Sequence, residues 1–363
     1  MKKMKLLTTG LASVAAVALL AGTARAEVVG YNSVTVPPSS DAVLSVPFNR
    51  SAEDTGTVTS AADSTHLTDT SATWVAGEWT NTPHYVRMTS GISNGKWSTI
   101  ANNTTDTLTL ATGLSVANPD TYRIEEHRTL GNAFPSWLEG TSFILSAGTG
   151  AGPSTRRTQV MLYNEAIAQI NRAPAETYFF GTNNATGFWR KTTASAVNAN
   201  NTILKPQQSF VVRNINTNTT LNIYTLGEVT EGQLAATVLK SASVATDAPV
   251  SSDRPVPMSL AELDLSGTSA FVGSASGSAS PTVRKDQILI PDNAASGVNK
   301  APSGSSGTSG TYFYRTDLGF WVKSTATAVD VSTNKVIQPG QGFWIRSVTN
   351  NVTTPTWSHD ATY

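Results

Sequence analysis

The sequence contains no cysteine among its 363 residues. This excludes disulfide bonds, thiolate metal sites and cysteine nucleophiles, so a folded chain must be held together by burial of apolar side chains. Charged residues make up only 14% of the sequence, below the roughly 25% that is usual in soluble domains. Thr, Ser, Asn, Ala and Gly take their place, and such weakly charged surfaces are typical of extracellular β-proteins.

Motifs for catalysis are also scarce. The four histidines are His66, His84, His127 and His359, and no H-E-x-x-H pair, G-x-S-x-G elbow, P-loop or Rossmann glycine set occurs. The densest cluster is Glu125-Glu126-His127-Arg128, which we interpret as a solvated strand end rather than a metal or general-base site. Acidic residues on the predicted strands are too few to indicate a paired-carboxylate hydrolase. We therefore expect no enzymatic activity, no cofactor and no bound metal.

The first 26 residues are typical of a secretory signal peptide. Lysines at positions 2, 3 and 5 precede an apolar stretch at 11–20, and Ala-Arg-Ala at 24–26 resembles a cleavage site. This stretch is too short to span a membrane stably, and no later segment is apolar enough to be a transmembrane helix. We expect export through the Sec pathway to the periplasm, the cell surface or the extracellular space, with the mature chain beginning at Glu27.

Cleavage there removes four basic residues and no acidic ones. The mature chain then carries 21 Lys and Arg against 25 Asp and Glu, a net charge of −4. Nucleic acid binding needs a basic stripe, which this balance does not indicate. We expect no nucleic acid partner.

Two parts of the chain repeat the same blocks about 130 residues apart. The matching blocks are residues 159–162 and 287–290, 171–174 and 299–302, 177–180 and 311–314, 187–191 and 319–323, and 205–213 and 338–346. Similar order and spacing over so many blocks predict a duplicated folding unit.

Short β-runs separated by turn residues dominate the rest, and Asn94-Gly95 between two such runs predicts a tight hairpin. We expect an all-β fold of two related β-sandwich-like units plus an inserted antiparallel β-meander module. A short helix is expected at 163–172, ended by Ala173-Pro174. The expected boundaries are a signal peptide at 1–26, N-terminal strands of the first unit at 27–50, the inserted module at 51–127, the first repeat unit at 128–230, a linker at 231–254 and the second repeat unit at 255–363.

Aromatic side chains are the candidates for ligand binding, since aromatic faces bind sugar rings. The candidate sugar-stacking residues are Trp79, Trp97, Trp189 and Trp321. Trp189 and Trp321 recur at the same place in both copies, which core packing explains better. Trp79 and Trp97 stand in the unrepeated module and are freer to meet a ligand.

Three further segments of the sequence resemble those of a known protein family. They read VGYNSVTV and SDAVLSVPF within 29–48, TLGNAFP at 129–135 and RPVPMSLAELDL at 254–265. These blocks resemble an uncharacterised family of secreted, often multi-copy proteins found mainly in Verrucomicrobia and their relatives. The resemblance covers most of the mature chain except 51–127. It implies a secreted all-β protein without a known activity, so no site residue carries over.

We therefore expect an exported, non-enzymatic structural or adhesive protein of the cell surface or envelope, such as a self-assembling surface-layer or filament subunit. Weakly charged sheets can pair edge to edge, so the chain itself is a candidate partner. The candidate assembly strand contains Val28, Val29, Tyr31, Val34 and Val36. The alternative is a protein that binds polysaccharide through exposed tryptophans. An outer-membrane barrel or a secreted hydrolase fits less well, because the strands are short and acidic pairs are few.

Overall fold

The computed structural model describes residues 28–146, 152–183, 186–276, 284–301, 307–348 and 355–363. The expected signal peptide and cleavage site lie outside these residues. Antiparallel sheets make up the described chain, which confirms the all-β prediction. The helical segments among the described residues are short: α1 (Leu130–Ala133) and 3₁₀ turns at Glu78–Thr80, Ser136–Leu138 and Pro153–Thr155. None of them is long and apolar enough to cross a membrane.

Two N-terminal strands and a seven-stranded module come first in the chain. The N-terminal strands are β1 (Val29–Val36) and β2 (Ser40–Leu44). The module strands are β3 (Ala52–Thr57), β4 (Ser60–Asp63), β5 (His66–Thr68), β6 (His84–Met88), β7 (Trp97–Asn103), β8 (Thr107–Leu110) and β9 (Thr121–Glu126). They form one sheet in the order β3-β9-β6-β7-β8-β5-β4. The predicted hairpin joins β6 to β7, and Gly95 in it adopts a φ of 78°, which glycine allows without steric cost.

The first unit follows the module. Its further strands are β10 (Arg128–Thr129), β11 (Thr158–Leu162), β12 (Glu176–Asn183), β13 (Thr186–Lys191), β14 (Ala194–Asn198), β15 (Ile203–Leu204), β16 (Phe210–Asn214) and β17 (Leu221–Glu228). Its main sheet has the order β14-β13-β12-β11-β16-β2, so the N-terminal strand β2 completes one edge. Two ribbons, β1-β17 and β10-β15, accompany this sheet. The apolar core between these elements contains Trp189, Phe143 and Leu221.

The second unit completes the chain. Its strands are β18 (Leu234–Thr237), β19 (Thr246–Val250), β20 (Met258–Ser259), β21 (Gln287–Ile290), β22 (Gly310–Arg315), β23 (Phe320–Lys323), β24 (Lys335–Ile337), β25 (Phe343–Ser347) and β26 (Thr356–His359). The main sheet has the order β19-β25-β21-β22-β23, with ribbons β18-β26 and β20-β24. Its core contains Trp321, Phe343 and Trp357.

The two units have matching strand orders. From the edge inward, β2-β16-β11-β12-β13 of the first unit corresponds to β19-β25-β21-β22-β23 of the second, and each unit has two short ribbons. Four of the five pairs of repeated sequence blocks fall on corresponding strands of these sheets, and residues 171–174 and 299–301 of the fifth pair lie in loops. An origin by duplication stays a prediction.

The linker expected at 231–254 is wrong, because strands β18 and β19 lie within it. Leu234, Ala248 and Val250 of this segment are buried. Their backbones pair with β26 and β25, about 100 residues further along the chain. An Ala/Ser/Thr-rich composition did not reveal strands whose partners are so distant.

Arg123 of β9 joins the module to the first unit. Its guanidinium lies 3.0 Å from Glu125 within the module and 2.6 Å from Glu228 of β17. Glu125 is fully buried and also pairs with Arg87 at 2.5 Å. A carboxylate removed from water needs such partners, because an unpaired buried charge is strongly destabilising.

Replacing Arg123 with Ala should leave Glu125 and Glu228 short of a cation. We expect the free energy of unfolding, measured by urea denaturation, to fall by about 3 kcal/mol, as for other broken buried ion pairs. Lys205→Ala is the control: Lys205 and its partner Glu165 are both 46% exposed, and such surface pairs contribute at most about 1 kcal/mol. Equal losses in the two variants would contradict the role assigned to Arg123.

Candidate functional site

Three of the four candidate tryptophans are buried in apolar cores. Trp79, Trp189 and Trp321 expose 5%, 0% and 1% of their surface. The indole nitrogen of Trp189 donates a hydrogen bond to the carbonyl of Phe134 at 3.1 Å. Since no ring face of these three residues is open to a ligand, they are corrected from sugar-stacking candidates to core residues.

Trp97 is the remaining candidate, and it is partly exposed at the start of β7. Its ring meets Tyr85 and His127 edge to face, with centroids 5.8 and 5.6 Å away. The Nε2 atom of His127 lies 2.9 Å from the hydroxyl oxygen of Thr99, and this hydrogen bond fixes the position of the imidazole ring. These contacts fix the orientation of an indole ring that lines a cleft.

This cleft has a volume of about 950 Å³ and opens where the module and both units meet. Its size lies near the upper end of the ~300–1,000 Å³ typical of ligand sites. The module contributes Lys96 and Trp97, the first unit contributes Tyr163, Glu165, Arg172, Glu176 and Lys205, and the second unit contributes Ala248, Val250 and Thr356. The cleft therefore depends on all three parts of the chain.

A second groove of about 360 Å³ adjoins the cleft and shares Tyr163 and Arg172 with it. Residues 171–174 and 299–301, which belong to the repeated Asn-x-Ala-Pro blocks, line it, with Asn171 and Asn299 as the first residues of their blocks. Trp344 also lines the groove, with its ring edge to face against Tyr163 at 6.4 Å between centroids. Each unit thus contributes the same kind of loop to the groove.

The interface beneath this groove contains a clamp centred on Asp41 of β2. Arg213 of the same sheet donates two hydrogen bonds to its carboxylate at 2.7 and 2.8 Å. The backbone N–H of Asn299, in the second unit, donates a third at 2.7 Å. Asn299 has a left-handed φ of 53°, which asparagine tolerates better than most residues.

The second unit builds the same clamp around Asp247 of β19. Arg346 donates two hydrogen bonds to its carboxylate at 2.7 and 2.8 Å, and the N–H of Asn171 in the first unit donates a third at 2.7 Å. Asn171 has a φ of 51°. The two clamps are reciprocal and enclose an apolar cluster of Val43, Met161, Val211, Leu289 and Trp344.

Arg172 and Lys300 stand at the same position of the two Asn-x-Ala-Pro blocks and make the same contacts. Arg172 donates from Nη1 to the carbonyls of Asn164 and Ile167, both at 2.7 Å. Lys300 donates from Nζ to the carbonyls eight and five residues before it, at 2.6 and 2.8 Å. The helix expected at 163–172 is wrong: the segment consists of turns and irregular structure, and the Arg172 guanidinium bonds two of its carbonyls.

His127, His359 and Asp253 are buried titratable groups. Burial lowers the pKa of His127 to about 3, and burial together with the positive charge of Arg254 lowers the pKa of His359 to about 3. Burial raises the pKa of Asp253 to about 6, although Ser251 and the N–H of Gln207 donate to its carboxylate. Across the described ranges, no group of three or more His, Asp or Glu side chains is placed to hold a metal ion.

The candidate assembly strand β1 has one face exposed and one face covered. Val28, Val29 and Tyr31 expose 49%, 62% and 64% of their surface. Val34 and Val36 point instead into the core of the first unit, so they are not available to a partner. Opposite Tyr31 on β17, Leu226 is 60% exposed, and the rings of Tyr31 and Tyr224 stack at 5.8 Å.

Trp137, which sequence reasoning did not select, is the most exposed tryptophan, at 78%. It lies in the 3₁₀ turn Ser136–Leu138, where Leu138 is buried beside it. The one local signal is Pro135, two residues before it, which follows the end of α1 and is typical of a surface turn. A single exposed aromatic residue does not indicate a site.

Comparisons of the chain with protein-family models, with curated proteins and with solved structures found no match. The resemblance to a secreted family therefore stays a prediction, and the site rests on its own geometry.

Stability should fall in acid because His127 and His359 stay neutral in the folded state. The unfolded chain protonates both below about pH 6.5, so their contribution is complete above that pH and is lost as the pH falls toward 3. Asp253 has the opposite effect on the pH dependence: its contribution to stability is present at low pH and is lost as the pH rises through about 6. Near pH 5 these three groups bind about one more proton in the unfolded state, a loss of about 1.4 kcal/mol per pH unit.

Urea denaturation between pH 7 and 4.5 measures this slope. His359→Asn should lower the slope near pH 5 by about 1.4 kcal/mol per pH unit, whatever packing it loses, because about one proton is removed from the difference. His66→Asn is the control, since the His66 side chain is 40% exposed. An unchanged slope in His359→Asn would rule out this account.

Proposed function

We propose that the protein is an exported, non-enzymatic structural or adhesive β-protein that assembles with further copies of itself. The observation that carries the proposal is the open edge of β1. All eight of its residues pair with β17 on one side. On the other side no described strand pairs with it, and its backbone is contacted at its end, where Nδ2 of Asn214 donates to the Val36 carbonyl at 3.4 Å. An edge of this length is a template for strand addition.

The usual protection of an edge is missing from β1. Proteins commonly place a Lys, a Pro or a bulge on such a strand. Residues 29–36 contain no charged residue and no proline, and their pairing with β17 runs without a register shift. An uncharged strand can pair with a second copy of itself without like-charge repulsion, which favours self-association over a charged partner.

The second unit offers an internal comparison. Its corresponding strand, β18, pairs with β26 as β1 pairs with β17. There the N–H of Ala235 donates to the carbonyl of Gly95 at 3.2 Å, so the hairpin of the module meets the strand edge. The edge of β18 is therefore contacted by the module of the same chain. We assign the corresponding edge of β1 to a neighbouring molecule.

The chain from residue 27 onward should therefore form oligomers or ordered polymers, measured by light scattering and electron microscopy over a concentration series. Tyr31→Lys places a charge on the exposed face of β1 and should weaken association at least about tenfold. Val75→Lys, at a 70% exposed position of the module, should have no effect. A strictly monomeric wild-type chain at high concentration would count against self-assembly.

Polysaccharide binding is the second candidate function, and the position of Trp97 favours it. The indole ring is partly exposed, is held by Tyr85 and His127, and lines the largest cleft described above. An immobilised aromatic face on an open cleft suits a sugar ring, because little conformational entropy is lost on binding.

Trp97→Ala should then reduce binding to polysaccharide by up to about tenfold, since an aromatic contact contributes roughly 0.5–1.5 kcal/mol. Trp fluorescence titration and affinity electrophoresis measure it. Trp137→Ala removes a more exposed tryptophan outside the cleft and serves as the control. A larger loss in the Trp137 variant would move the site away from the cleft.

A further inference from the structure

The charges that line the cleft and the adjoining groove are unevenly paired. Every lining carboxylate already has a cationic partner: Glu165 with Lys205, Glu176 with Lys191, Asp41 with Arg213 and Asp247 with Arg346. Three lining cations, Lys96, Arg172 and Lys300, make no ion pair with a described carboxylate. The two connected cavities therefore hold an excess of positive charge.

Arg172 stands where the cleft and the groove meet. Its Nη1 atom is tied to two carbonyls, while Nε and Nη2 are shielded from water and have no hydrogen-bond partner. These two nitrogens form the edge of a guanidinium that binds a carboxylate in bidentate fashion once the atoms that cover it move aside. Buried donors without an acceptor are costly, so a ligand that supplies oxygens gains from meeting them.

Lys300 repeats this situation on the other side of the groove. Its ammonium group donates to two carbonyls and has a third proton to offer. Burial lowers the pKa of both Lys300 and Arg172, although Asp292 and Asp41 oppose the shift for Lys300, and Asp247, Tyr163 and Glu165 oppose it for Arg172. Burial thus disfavours the protonated, charged form of both side chains, and an added anion would stabilise that form.

We infer that the cleft and groove bind an acidic polysaccharide, with carboxylates at Lys96, Arg172 and Lys300 and a sugar ring against Trp97. This inference rests on the polysaccharide-binding candidate and adds the ligand class. A saccharide fits better than a peptide because Trp97 and Tyr163 line the cleft beside the cations. The cleft and the groove adjoin at Tyr163 and Arg172, so together they accept a chain rather than a single small molecule.

The test compares hexamers of galacturonate and of mannuronate with their carboxyl-reduced, neutral counterparts, by calorimetry on the mature chain. We expect at least one acidic hexamer to bind at least about tenfold more tightly than its neutral counterpart, with an affinity that falls as salt rises. Arg172→Gln and Lys96→Gln should each weaken the acidic hexamer about tenfold and leave the neutral one unchanged. Lys335→Gln, which removes the same charge at a 50% exposed position outside the cleft, should change neither.

Arg172→Lys separates binding from folding. Lysine occupies the corresponding position 300 with the same carbonyl contacts, so this variant should unfold at the wild-type temperature. It should still bind the acidic hexamer more weakly than wild type, because lysine lacks the bidentate edge.

The outcomes are distinguishable. Equal affinity for acidic and neutral hexamers, lost in Trp97→Ala, would overturn the charge inference and leave polysaccharide binding standing. Failure of every hexamer to bind would overturn both. Equal weakening by Lys335→Gln would show a diffuse charge effect and overturn the assignment to the cleft. Tighter binding of a Glu-rich hexapeptide than of any saccharide would overturn the ligand class.

Discussion

The two reciprocal clamps between the units are the contacts on which the rest of the structure depends. Each carboxylate, Asp41 or Asp247, is held by an arginine of its own sheet and by a backbone N–H from the other unit. Because the chain has no cysteine, this joint is maintained by hydrogen bonds and by the apolar cluster beside it. Breaking either clamp would leave a buried charge without its partners.

The interface that the clamps hold together also covers edge strands of the main sheets. Strands β2 and β19 are edge strands of their main sheets, and the interface covers both. Strand β18 meets the module hairpin through Gly95. These contacts satisfy backbone groups that would otherwise invite pairing with other chains. The edge of β1 that faces away from β17 pairs with no strand of the described chain.

The relative placement of the parts creates the cleft as well. Trp97 comes from the module, Arg172 from the first unit, and Val250 from the second. No single part contains the site. The Arg123 bridge between Glu125 and Glu228 holds the module against the first unit and so maintains one wall of this arrangement.

Local patterns predicted much of the fold. Alternating apolar residues and turn signals indicated the strands, Asn94-Gly95 marked its hairpin, and the recurrence of Trp189 and Trp321 indicated core positions, all of which the structure contains. The linker prediction failed because β18 and β19 are weakly apolar and form only against distant partners. Trp79 was misjudged for a related reason, since its burial depends on packing against Trp74 and His84.

The sequence by itself determined the all-β class, the absence of disulfide bonds and the recurrence of similar blocks along the chain, because these follow from composition and from residues close together in the chain. Only the tertiary structure decided which tryptophan meets solvent, which edge stays open and which cations lack a partner. Those properties depend on side chains brought together from far apart, such as Lys205 with Glu165 or Asn171 with Asp247. That long-range packing determines burial and charge pairing, so local periodicity in the sequence does not predict them.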